Sequence, residues 1–91
     1  MEMRDKDVVR MKQFSQNLRD QRLEKGFSQK DLAFKSGASP SYIKRLERKE
    51  PSPNPCIAIL FHLADGLEVE PKVLLPATDW ELRDPAASEA E

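Results

Sequence analysis

Apolar positions along this chain recur at steps of three and four, the spacing of one face of an α-helix. Met11, Phe14, Leu18 and Arg22 form the first such series. It predicts a helix over 9–25, ended by Gly26, with Leu23 off the stripe and partly exposed. Phe27 is expected to plug the gap before the next helix. Ser28 and Asp31 have the spacing of a capping box, in which each side chain satisfies the other residue's free backbone N–H. This predicts a second helix over 28–36, with Leu32 and Ala33 facing inward and Gly37 supplying a left-handed end. Phe34 does not share that face, so either the N-terminal segment covers it or it belongs to a partner interface. Ser39 as N-cap and Pro40 at the first helical position, where a missing N–H costs nothing, predict a third helix over 40–49.

Residues 50–55, EPSPNP, hold three prolines and predict a stiff loop. Asn54 then reads as the cap of a fourth helix, with Pro55 at its first position. On that helix Ile57, Leu60, Phe61, Ala64 and Leu67 form a stripe that Leu63 broadens, so it is expected to be the most buried, with Gly66 near its end. Residues 72–75 predict a short helical turn that Pro76 stops. Thr78 and Glu81 have capping-box spacing for a brief helix carrying Trp80 and Leu82. Trp80 either docks back on the domain or anchors a dimer. The pattern divides the chain into a flexible end (1–8), one helical domain (9–76) and an acidic tail (77–91).

Two short helices joined by a glycine-containing turn make a helix-turn-helix. The third helix divides by face. Ile43, Leu46 and Glu47 share its inner side, and Ser41, Lys44, Arg45 and Arg48 share another. A polar, basic stripe is either a solvated face or a surface that meets DNA, and the helix-turn-helix setting favours the second. Arg22 and Glu47 each stand on an otherwise apolar stripe. Burying either charge is costly, so the two pair across the domain or each reaches water separately.

Charge sharpens this picture. The net charge is −1, but residues 28–50 hold six basic and three acidic side chains, whereas residues 76–91 hold one and five. A local basic patch matters more for phosphate binding than the total. One cysteine, Cys56, and one histidine, His62, exclude an internal disulfide and a multi-cysteine zinc site. The sequence has no Gly-rich phosphate loop, metal cluster or acid–base pair in an evident pocket, so neither enzyme activity nor a cofactor is expected. No apolar run approaches the roughly 18 residues of a membrane helix. The charged N-terminus lacks an apolar signal region, and a cytoplasmic protein is expected.

From Phe14 to Leu75 the chain resembles the phage repressor and Cro-type (Xre) helix-turn-helix family. The matching residues are Leu18, Arg22, Gly26, Ser28, Gln29, Leu32, Ala33, Gly37, Ser39, Ser41, Ile43, Leu46 and Glu47, then Pro55, Leu63, Ala64, Leu67, Val69 and Leu74. The resemblance implies an all-α, compact five-helix bundle of the lambda-repressor-like type. It implies a sequence-specific regulator of transcription, a repressor, which binds an inverted-repeat operator in double-stranded DNA as a homodimer, with helix 40–49 in the major groove. By position, Pro40, Ser41, Lys44 and Arg45 match base-reading sites, and Gln29, Ser39, Tyr42, Arg48 and Lys49 match phosphate contacts. Arg22 and Glu47 match a structural ion pair. Lys49 stands where a glycine is frequent, and the proline-rich loop is longer than usual. The alternative is a protein-interaction module, an antitoxin or adaptor, whose possible protein partner would meet Phe34, Trp80 or the acidic tail.

Overall fold

In the computed structural model, which describes residues 4–48 and 54–76, the first helix, α1, spans Asp5–Glu24. It starts four residues before the expected position. The cause is local charge. Asp5 and Asp7 lie in the first turn, where carboxylates complement the positive end of the helix dipole. Arg4 Nε donates to Asp7 Oδ2 at 3.0 Å, and this bond holds the Asp7 carboxyl below its ordinary range.

Helix α2 spans Gln29–Ser36 and carries the capping box in full. The Asp31 N–H donates to Ser28 Oγ at 3.0 Å, and the Ser28 N–H donates to Asp31 Oδ2 at 2.9 Å. Gly37 ends the helix at φ 79°, a left-handed conformation that a Cβ would strain. The backbone N–H of Ser28, and then its hydroxyl, push the Asp31 pKa below its ordinary value of 3.8. A carboxyl whose pKa is depressed on folding stabilises the fold above its unfolded pKa and loses that contribution as pH falls through the folded one. Stability is therefore expected to drop as acid takes the pH through and below the ordinary value of 3.8, and Asp31→Asn should flatten part of that slope. Thermal unfolding of both chains across this range checks it; parallel curves would count against the cap.

Helix α3 spans Pro40–Glu47, with Ser39 Oγ accepting from the Tyr42 N–H at 3.1 Å. It ends two residues before the expected 49, because Arg48 turns to extended backbone (φ −81°, ψ 127°). Lys49 and the loop through Pro53 lie outside the described residues, as do Trp80, the Thr78–Glu81 spacing and the whole tail 77–91. Helix α4 spans Ile57–Leu67. Its N-cap is Cys56 rather than Asn54; the chain stays extended through Cys56 (φ −77°, ψ 165°) while Pro55 is half-buried. The expected short turn is a 3₁₀ turn, Pro71–Val73. Among the described residues the fold is thus all-helical, with four α-helices and this turn.

Helix α2 packs against both α3 and α4, and α1 packs against α3. The core holds Phe14, Leu18, Leu32, Ala33, Ile43, Leu46, Leu63, Ala64, Leu67 and Leu74. Each fully buried leucine or isoleucine contributes about 1.5–3 kcal/mol relative to exposure. One expectation fails here: α4 is not buried along its whole stripe, since Ile57 is 69% and Phe61 48% exposed. The rotation of α4 is set at Gly66. A Cβ there would stand 3.2 Å from the Lys35 carbonyl carbon and from Ser36 N on α2. Glycine lets the helix backbones approach, and the buried arc then centres on Leu63 and Leu67. Gly66→Ala gains helix propensity but forces α2 away, and a net loss on the order of 1 kcal/mol is expected. Chemical denaturation measures it; an unchanged or raised midpoint would show that α2 yields freely.

Candidate nucleic-acid interface

The candidate surface is the outer side of α2 and α3. The order of caps in the sequence builds it. Gly37 turns the chain sharply after α2, and Ser39 with Pro40 restarts it at once as α3. Ile43, Leu46 and Glu47 are buried beneath α3, and that fixes which residues face outward. Ser39, Pro40, Ser41, Lys44, Arg45 and Arg48 are all exposed, and Tyr42 and Gln29 are half-buried. These are the expected contact residues other than Lys49. They form one continuous surface from the start of α2 along α3.

Lys44 and Arg48 enter no ion pair among the described residues, so their charges are available to an anion. The Arg45 guanidinium lies over the Tyr42 ring, 5.4 Å from its centroid. Such stacking limits the rotamers of a long side chain and costs it none of its donors. The surface can therefore supply several cations, one of them stacked on Tyr42, hydroxyls at Ser39, Ser41 and Tyr42, and the N-terminus of α2. These are the groups that contact phosphates and base edges.

Beneath it lies a buried polar network. Arg22 Nε donates to Glu47 Oε2 at 2.6 Å and Arg22 Nη2 donates to Glu47 Oε1 at 2.9 Å, a bidentate pair. Arg22 Nη1 donates to the Phe27 carbonyl at 2.8 Å. Gln29 Nε2 donates to Glu47 Oε1 at 3.2 Å. No side-chain nitrogen or oxygen buried among the described residues lacks a partner. The pair therefore ties α1 to the end of α3, the carbonyl bond fixes the turn into α2, and the glutamine joins α2 to both.

Sequence inspection passes over two residues that the structure brings into play. Ser15 is fully buried and donates to the Leu46 carbonyl at 2.8 Å. Asn17 Nδ2 donates to the Leu74 and Leu75 carbonyls at 3.3 and 3.2 Å, holding the C-terminal turn on α1. The available signal was position: Ser15 lies three and seven residues before Leu18 and Arg22, inside the buried arc. Phe34 is 90% exposed, so no described residue covers it. An apolar groove of about 200 Å³ lies on another side of the domain, between Met11 and Phe14 of α1, Cys56, Ile57 and Leu60, and Leu75 with Pro76. Among the described residues no cluster of histidine, cysteine and carboxylate could hold a metal ion. No described helix is long and apolar enough to cross a membrane.

The sequence profile of the helix-turn-helix family matches residues 18–74. Among solved structures the chain is similar to the restriction-modification controller protein C.AhdI from Aeromonas hydrophila. Identity is 38% and the TM-score 0.66, over 71% of this chain and 96% of that one. It is similar also to the wild-type controller protein C.Esp1396I, at 38% identity and TM-score 0.62, over 70% of this chain and 80% of that one. A further structure shows C.Esp1396I bound to a 25 base pair operator site, at 39% identity and TM-score 0.64, over 70% of this chain and 82% of that one. No curated protein matches the chain.

Proposed function

The chain belongs to the Cro/C1-type helix-turn-helix family, and on that premise we propose that it is a sequence-specific, double-stranded DNA-binding regulator of transcription. The observation that carries this is the exposed basic face of α3 on a chain 39% identical to a protein solved on its operator. By the same likeness it is a controller protein of a restriction-modification system, acting as a repressor when it occupies an operator.

In this reading residues 9–76 are the DNA-binding domain, 77–91 an appended acidic tail, and the turn Pro71–Val73 stands in the place of a fifth helix. Helix α3 enters the major groove. Ser41, Lys44 and Arg45 meet base edges, and Pro40 offers only shape and apolar contact. Gln29, Ser39, Tyr42, Arg48 and Lys49 hold phosphates and set the register. Neutralising phosphates releases counterions, which supplies sequence-independent affinity and a steep salt dependence. Two copies related by a two-fold axis would read an inverted repeat with half-sites about 34 Å apart. The protein works in the cytoplasm, and its task is binding rather than catalysis. The exposed Phe34 would suit a protein-interaction module instead, and an exposed aromatic is weaker support than an operator-bound relative.

Selection from a random-sequence duplex pool at two salt concentrations tests the proposal. Enrichment of an inverted repeat is the expected result. Salt-sensitive binding with no enriched sequence, or no binding at low salt, would overturn it.

A further inference from the structure

Helix α3 has eight residues, so its ends make up most of it. The last four carbonyls of any helix lack partners within it. Helix α2 solves this with Gly37, in the left-handed conformation. Helix α3 has no such residue, because Arg48 is extended. The Arg45 carbonyl accepts from the Arg48 N–H at 3.2 Å. The Leu46 carbonyl accepts instead from Ser15 Oγ of α1 at 2.8 Å, across 31 positions of sequence. A serine inside a helix commonly turns back to the carbonyl one turn before it. Ser15 makes this distant bond and is fully buried.

We infer that the Ser15 hydroxyl is a positioning group for DNA recognition: it caps the recognition helix from outside and fixes its axial place on α1. This rests on the DNA-binding function proposed above. The geometry gives it leverage. Lys44 and Arg45 precede Leu46 by two residues and one, which at 1.5 Å of rise each puts their Cα atoms within about 3 Å, along the axis, of that of the anchored residue. The Arg22–Glu47 pair holds the next residue through a side chain, and among the described residues outside the helix the Leu46 carbonyl accepts from Ser15. With the hydroxyl removed, that buried carbonyl loses the bond from α1, and the end of α3 relaxes toward water while the N-terminal cap at Ser39 keeps the helix in place. Phosphate contacts tolerate such a shift and base contacts do not.

The test compares the intact chain with Ser15→Ala and Ser15→Cys, the thiol being somewhat larger than the hydroxyl and a weaker donor. Two readouts are taken on folded protein: the ratio of affinities for the selected operator and for a random duplex, and amide hydrogen exchange along α3 and α4. Ser15→Ala is expected to lower the operator-to-random ratio roughly tenfold, the factor that corresponds to one lost hydrogen bond to a buried acceptor, with the cysteine variant between. Binding to the random duplex and its salt dependence should not change. Exchange should quicken in the last turn of α3 and stay the same in α4. An unchanged ratio, or exchange quickened equally in both helices, would overturn the inference by reducing Ser15 to a contributor to global stability. Should Ser15→Ala fail to fold, the cysteine variant carries both readouts. An intact chain that prefers no duplex sequence overturns the proposed function and the recognition role with it; the exchange pattern still decides whether Ser15 anchors α3.

Discussion

Glu47→Ala is expected to destabilise the domain by about 3–5 kcal/mol, the cost of leaving one partner of a buried ion pair unpaired. Small domains hold only about 5–15 kcal/mol in total, so the variant should be largely unfolded at moderate denaturant concentration. The magnitude follows from burial: the two side chains are 9% and 3% exposed, and the carboxylate takes three hydrogen bonds, two from Arg22 and one from Gln29. Removing it strands a guanidinium that keeps, among the described residues, the Phe27 carbonyl. Arg22→Ala should cost a similar amount, because Glu47 then keeps only the glutamine. The informative construction is the pair of changes Arg22→Met and Glu47→Leu made together. Replacing both charges with apolar groups of like volume should recover most of the loss, since desolvation of the ions offsets much of their attraction. The double variant would keep stability and lose the link from Glu47 to Gln29, so phosphate affinity should fall in a chain that still folds. Denaturant unfolding of the single and double variants measures the coupling. Single-variant losses below about 1 kcal/mol would mean that the pair is hydrated and not structural.

The second large effect is on binding. Each well-made contact to a base edge discriminates by about 1–3 kcal/mol, so Lys44→Ala with Arg45→Ala should cost operator affinity roughly thirtyfold to twenty-thousandfold. Both residues are exposed on α3, and Arg45 lies over the Tyr42 ring, so stability should stay within about 0.5 kcal/mol of the parent chain. Arg48→Ala is the contrasting variant. A phosphate contact carries no sequence information, and its loss should weaken operator and random duplex alike and lower the salt slope by about 0.9 per contact. A titration of each variant against both duplexes at several salt concentrations separates the roles. If the Lys44/Arg45 pair weakens both duplexes equally, those residues hold phosphates and the base-reading assignment is wrong.

Much of this protein is local chemistry and is legible residue by residue. Ser28 with Asp31, Gly37, and Ser39 with Pro40 each act within four residues of themselves, and the helices they delimit begin and end accordingly. The inner face of α3 and the outward basic stripe follow from the period of the helix, because the two large aliphatics, Ile43 and Leu46, leave one way for it to lie. The fit of Arg22 to Glu47 was legible as a question, two charges each on an apolar stripe, since burial forbids both from standing alone. What the sequence could not determine is how whole helices rotate against one another. Periodicity admits Ile57 and Phe61 to the buried stripe of α4, but the close approach at Gly66 turns them outward. It admits a third helix to position 49, but α3 stops at Glu47, where the chain turns extended and the preceding carbonyl is taken by a serine 31 residues away. Local sequence fixes caps, turns and faces because those energies depend on neighbours in the chain. Rotation, helix ends held from outside and the aim of the recognition helix depend on contacts that exist only once the chain has folded.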